Sequence, residues 1–241
     1  MNGLNWGMTL FIIILSYAVS IGARLMIKLT FLKYDDIATA KKISGAEAAR
    51  AVLDGRGLSY VSVERIRSEL SDGSTLMRVE LSESTFDSDS VAAVGMAAYQ
   101  AGHVMQRADG YSLNSLTGVA GNVSAICSQF LVVVLFLGSL FSIEPLIRLG
   151  TVLFIVMAVF QAVMFISEAD AGKRAIASLR QENILDDSEL EGAQKVIRTA
   201  SLVYAAALAS LLASLVRMMT GANNKCCLLY TSDAADEARS V

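Results

Sequence analysis

The chain has 241 residues, of which 54% are apolar, one is a proline and one a histidine, with a formal net charge of −3 and a mean hydropathy of +0.51. That apolar excess is too large for an ordinary soluble domain and points to membrane spans. The slightly acidic balance leaves no basic surface for nucleic acid, and the scattered cysteines form neither a metal cluster nor a disulfide framework.

In chain order, the run from Leu4 to Ala23 holds no charge. At about 1.5 Å per residue it can cover a hydrocarbon core of roughly 30 Å. It reads as transmembrane helix 1, residues 4–23. A signal peptide is the competing reading, but the run lacks a basic leading segment and is followed by Arg24, Lys28 and Lys33 rather than by a small-residue cleavage site.

Residues 24–118 form a soluble segment. In "SGAEAARAVLDGRGL", Ser44 and Glu47 stand at capping-box spacing ahead of alanine-rich helix formers that stop at Asp54-Gly55. Next, "YVSVERI" and "MRVELS" alternate apolar and polar residues around the turn-like "SDGS", which predicts a small antiparallel sheet with Val61 and Val63 on one face and Met77, Val79 and Leu81 on another. Asp89 or Ser90 then caps a helix through "VAAVGMAAYQAGHVMQ" that ends at Asp109-Gly110.

Two further apolar runs, 119–141 and 146–166, are separated only by a turn and read as a transmembrane hairpin. A helical segment, 167–199, leads to a fourth span, 200–219. Arg24, Lys28, Lys33, Lys41 and Lys42 follow the first span, and Lys173, Arg174, Arg180, Lys195 and Arg198 lie between the third and fourth. Basic flanks stay on the cytoplasmic side. The expected fold is therefore mainly α: a multi-pass helical protein of the cell membrane with about four spans and a small α+β segment facing the cytoplasm. The tail, residues 226–241, contains "CLLYTSDAADE"; it lacks periodicity and fits the reading frame of a transposase-type sequencing adapter, so it is kept out of the fold.

The helix around "AAYQAGHVMQ" (97–106) differs by two letters from the His-Glu-x-x-His helix of zinc proteases. In that arrangement two imidazoles one turn apart bind zinc and the glutamate takes a proton from the metal-bound water. With "SGAEAARAVLDGRGL", "VELSE", "SVAAVGMAAYQAGHVMQ", the tyrosine of "GYSLNSL" and "ISEADAGKRA", the chain resembles the YugP-type membrane zinc metallopeptidases over most of residues 5–219. The resemblance implies that Tyr99 stands at the first histidine ligand, Gln100 at the general base, His103 at the second ligand and Glu168 at the third, with Asp170 supporting them. A further departure is "SDGSTLM", where the family has a longer turn with histidine, tyrosine and Asp-Pro.

These departures have a chemical meaning. A phenol titrates near 10, so binding a metal at neutral pH costs about 4 kcal/mol for its proton, although phenolate does serve as an iron ligand. Glutamine has no basic site and cannot accept a proton, which removes a contribution typically worth about 100- to 10,000-fold in rate. The resemblance then implies an inactive pseudopeptidase with a binding or regulatory role, no cofactor expected, and the lipid bilayer, a peptide or membrane protein, or an active homologue as partner. The alternative is an active or residually active peptidase that keeps zinc. Structural readings stand beside both: a lone histidine on an alanine-rich helix is commonly a packed, hydrogen-bonded residue, and Glu168 could be a solvated membrane-edge carboxylate or a partner of Lys173 and Arg174. A working site requires His103 and Glu168 to approach within metal-bridging reach.

Overall fold

The computed structural model describes residues 6–67, 72–110, 134, 137, 141 and 143–237. Helix α1, Trp6–Asp35, does not stop where the expected span stops at residue 23; its 30 residues extend roughly 45 Å. Arg24, Lys28 and Lys33 are exposed on its flank, and such long side chains reach water without interrupting a helix. The loop after α1 is laced to residues 88–91. Thr39 N donates to the Asp89 carbonyl at 2.8 Å, Val91 N to that of Ile37 at 2.9 Å and Gly45 N to that of Ser88 at 2.9 Å.

Helix α2, Gly45–Gly55, begins with the expected capping box. Ser44 N donates to Glu47 Oε2 at 2.8 Å while Glu47 N donates to Ser44 Oγ at 3.3 Å. Each satisfies a backbone or side-chain group that the first helical turn leaves unpaired. The helix buries Ala48, Ala49, Val52 and Leu53, and Gly57 at φ +70° lets the chain turn away after its end.

The sheet corrects the sequence expectation. Strands β1, Ser62–Ile66, β2, Gly73–Ser74, and β3, Arg78–Ser82, lie in the order β1-β3-β2. β1 and β3 are parallel, with Val63 opposite Val79, and only β2 runs antiparallel to β3. The reason is local: Gly73-Ser74 is itself a strand rather than a turn, and Thr75 N closes a tight turn onto the Arg78 carbonyl at 2.8 Å. That hairpin occupies one edge of β3 and leaves β1 the other. Val61, Val79 and Leu81 are buried, whereas Met77, in the hairpin turn, is 58% exposed.

A short helix α3, Glu83–Phe86, leads to α4, Val91–Ala108. Of the two expected caps, Ser90 is the one used: its Oγ accepts from Ala93 N at 3.1 Å and donates to Asp35 Oδ1 at 2.7 Å. The end of α1 is thereby tied to the start of α4. Fourteen of the 18 residues of α4 are buried, because it packs against α2 and against two long helices, α5, Glu144–Gln181, and α6, Asp187–Glu237. Alanine, valine and leucine side chains of all four fill the shared core.

α5 and the Asp187–Ala213 part of α6 are long and apolar enough to cross a membrane. Only 17% and 22% of their most apolar stretches are buried, the reverse of what a soluble core would require of such helices. The expected spans 146–166 and 200–219 fall on α5 and α6, and 4–23 falls on α1 from residue 6 onward; 119–141 lies outside the described residues apart from positions 134, 137 and 141. α5 shows no break at residue 167 but carries straight on to Gln181, so residues past the apolar stretch ride on the same rod. α6 likewise continues to Glu237 through most of the stretch expected to be foreign to the fold.

Candidate functional site

On α4, Tyr99 and His103 are one turn apart on one face, with Gln100 turned about 100° aside. The two rings meet edge to face with centroids 4.8 Å apart. Glu168 faces them from α5. The helices approach this closely because position 102 is glycine: a Cβ there would stand 2.5 Å from the Ala171 carbonyl oxygen, well inside van der Waals contact. Backbone proximity, rather than long side chains, therefore brings the two elements together.

Three side chains converge on the Glu168 carboxylate. The Tyr99 hydroxyl donates to Oε2, His103 Nε2 lies 3.4 Å from the same oxygen, and Tyr204 of α6 is a further hydrogen-bond partner. His103 and Glu168 are thus within the reach expected of them. Glu168 is 8% exposed and is not a solvated membrane-edge group. Nor is it the partner of Arg174, which turns to Asp170 Oδ2 at 2.7 Å and to Asp109.

Behind His103 stands a residue that sequence reasoning missed. Gln106 Oε1 lies 3.2 Å from His103 Nδ1, while Gln106 Nε2 donates to the Ser167 carbonyl at 2.8 Å and to Asp170 Oδ2 at 2.9 Å. Asp170, expected as a supporting group, acts through this amide rather than directly. The only signal in the sequence was a glutamine three residues after the histidine, on the same helix face.

His103 is held neutral. Burial pushes its imidazole down to about 4, and the charge of Arg107 adds to the effect against the opposing hydrogen bond from Gln106. In front of the cluster lies a cavity of about 590 Å³. Asp72, Ser74, Gln100 and Arg107 supply polar lining; Ile27 of α1, Met96 of α4, Met164 of α5 and Val203 of α6 supply apolar lining. Arg107 Nη1 donates to Ser74 Oγ at 3.1 Å, joining the hairpin to the site helix.

These donors can be tested against zinc. Two ligands about 2.0–2.1 Å from a tetrahedral ion stand roughly 3.3 Å from each other, close to the 3.4 Å between His103 Nε2 and Glu168 Oε2. Tyr99 is different, because its hydroxyl donates directly to the carboxylate. Among the described residues no three His, Cys, Asp or Glu side chains converge. One imidazole, one carboxylate and one engaged phenol do not fit the three-donor set of a zinc hydrolase.

The fold and the site together define a membrane-associated protein built on the plan of a zinc metallopeptidase. The family model described as "Putative neutral zinc metallopeptidase" matches residues 9–223, and the chain belongs to that family. It is 32% identical over 209 residues to the "Putative membrane protease YugP" of Bacillus subtilis (strain 168), a match covering 84% of this chain and 91% of that protein. No solved structure matches.

Proposed function

We propose that this family member no longer hydrolyses peptide bonds and uses its altered site to bind a membrane-proximal peptide, a membrane protein or an active homologue. The observation that carries this reading is the hydrogen bond from Tyr99 to Glu168: the residue at the first ligand position satisfies the third as an acceptor instead of joining it around a cation. Gln100, at the general-base position, lines the cavity but can only hydrogen-bond a water, not take its proton. In the same reading four helices cross the cell membrane at 4–23, 119–141, 146–166 and 200–219, and residues 24–118 and 167–199 face the cytoplasm. The basic residues flanking those spans support that orientation.

The test is metal content and turnover of the full chain purified from membranes without chelators. The reading predicts zinc far below one ion per chain and no chelator-sensitive peptide cleavage. A second reading, residual zinc-dependent peptidase activity, is favoured by the tetrahedral-like 3.4 Å spacing of His103 and Glu168. One zinc per chain, with cleavage abolished by chelator and by His103→Ala, would establish it instead.

A further inference from the structure

We infer that the outward face of α1 from Arg24 to Lys33 lies in the headgroup layer of the membrane and binds acidic phospholipids. This contact rests on α1 crossing the bilayer and specifies the lipid at its C-terminal end. At about 100° per residue, Leu25, Leu29 and Leu32 form one ridge, 53%, 58% and 49% exposed. Arg24 and Lys28, one turn apart, run along one side of the ridge and Lys33 stands on the other; all three are exposed. The half-buried Ile27, Phe31 and Tyr34 turn the opposite way, Tyr34 packing on the core. Among the described residues no carboxylate forms an ion pair with Arg24, Lys28 or Lys33. Asp35, at the end of the helix, is taken by Ser90 Oγ at 2.7 Å.

In water such a ridge would be an unfavourable apolar patch. At a membrane surface it enters the acyl boundary, while the flanking lysine and arginine stems extend to the phosphates. The length of the helix agrees. Its 30 residues extend roughly 45 Å, the thickness of a whole bilayer with its headgroups, roughly 40–45 Å, rather than of the hydrocarbon core alone, roughly 30 Å. The cavity marks the same level from the inside. Ile27 of α1, Met164 of α5 and Val203 of α6 line it, each about one turn or less from an end of the apolar runs 4–23, 146–166 and 200–219. Three helices therefore put the bilayer boundary at the depth of Ile27, and the leucine ridge continues from there into the headgroups. A basic side chain at that depth favours anionic over neutral lipid by roughly fivefold, and three of them with no carboxylate in their midst select an acidic headgroup.

The chain contains one tryptophan, Trp6, so Trp6→Phe with Leu29→Trp gives a single fluorophore on the ridge. The full protein is placed in nanodiscs of equal parts phosphatidylcholine and phosphatidylglycerol, with bromine on the upper acyl carbons of one lipid or the other. Bromine on phosphatidylglycerol should quench the tryptophan several-fold more strongly than bromine on phosphatidylcholine. Arg24→Gln with Lys28→Gln and Lys33→Gln should make the two equal. Equal quenching in the protein that keeps all three bases overturns the selection of acidic lipid, whether or not the triple variant folds. A folded triple variant that keeps the preference overturns the role of those bases. Quenching by neither lipid, as cover by another span or a second copy would give, overturns the contact. The crossing of α1 is read separately by Ile14→Trp in the Trp6→Phe background, which should be quenched by bromine near the acyl chain ends. Loss of that deep quenching would overturn the crossing, whereas deep quenching at position 14 without shallow quenching at 29 overturns the lipid contact alone.

Discussion

The two sides of His103 differ in kind. On its C-terminal side, Gln106, Asp170 and Arg174 form a continuous run of hydrogen bonds between 2.7 and 3.2 Å, beside a glycine whose missing side chain lets α5 in. On its N-terminal side are Tyr99 and Gln100, which the proposed reading assigns to the positions of a ligand and a base. The contrast teaches that the frame of a metal site and its chemistry have separate physical foundations. The frame is part of the buried core, so the stability of the fold maintains it. The chemistry lies in two side chains that packing alone does not specify: Tyr99 fills its space and donates to a buried carboxylate, leaving nothing unsatisfied.

The contrast can be broken at the frame, where the largest effect is expected. Gly102→Ala would force a Cβ against the Ala171 carbonyl at 2.5 Å, and overpacking of this sort costs typically about 1–3 kcal/mol. It should lower the thermal midpoint in detergent and separate His103 from Glu168. Gly95→Ala, whose Cβ would meet that of Ala193 at 3.2 Å, should cost less, because that approach is only slightly tighter than ordinary van der Waals contact. Equal midpoints for the two variants would mean that the close approach at Gly102 does not set the site.

A smaller effect sharpens the chemical side. Tyr99→Phe removes one donor from the Glu168 carboxyl group while keeping the ring, and should cost about 0.5–1.5 kcal/mol, the usual net worth of an intramolecular hydrogen bond. Metal content should not change. A fall in bound metal on this substitution would show Tyr99 to be a ligand.

The smallest effect is a pH slope. An unfolded histidine takes up a proton near 6.5, whereas in the folded protein burial holds His103 down to about 4. Between those values the unfolded state binds more protons, so in chelator-treated protein this group leaves stability unchanged above about pH 6.5 and lowers it as the pH falls toward 4. His103→Asn should flatten that part of the profile; identical slopes in the two proteins would contradict a buried neutral imidazole.

Local signals in the sequence were legible where the physics is local. The Ser44 and Glu47 spacing predicted a capping box because both groups belong to one helical turn, and Asp89 or Ser90 at one end and Asp109-Gly110 at the other marked the bounds of α4 for the same reason. Strand direction was misread, since alternation of apolar residues reports which face is buried and not which way a neighbour runs; the parallel pairing of Ser62–Ile66 with Arg78–Ser82 depends on where Gly73-Ser74 docks. α1 runs on past the expected span of 4–23, because a helix can continue beyond an apolar stretch with charged side chains on its flank. Gln106 was invisible for a different reason: its partners, Ser167 and Asp170, lie more than 60 residues away, and no local pattern encodes a clamp of that separation. The approach of His103 to Glu168 was expected only through family resemblance, not from spacing.

The measurement that bears most directly on the central claim is the double reversal Tyr99→His with Gln100→Glu, assayed beside wild type for zinc per chain and peptide cleavage. If the frame is intact and only the chemistry is gone, the reverted protein should gain about one zinc ion and chelator-sensitive cleavage that the wild type lacks. Wild-type protein that already carries a full complement of zinc and cleaves peptide as fast as the reverted form would contradict the account.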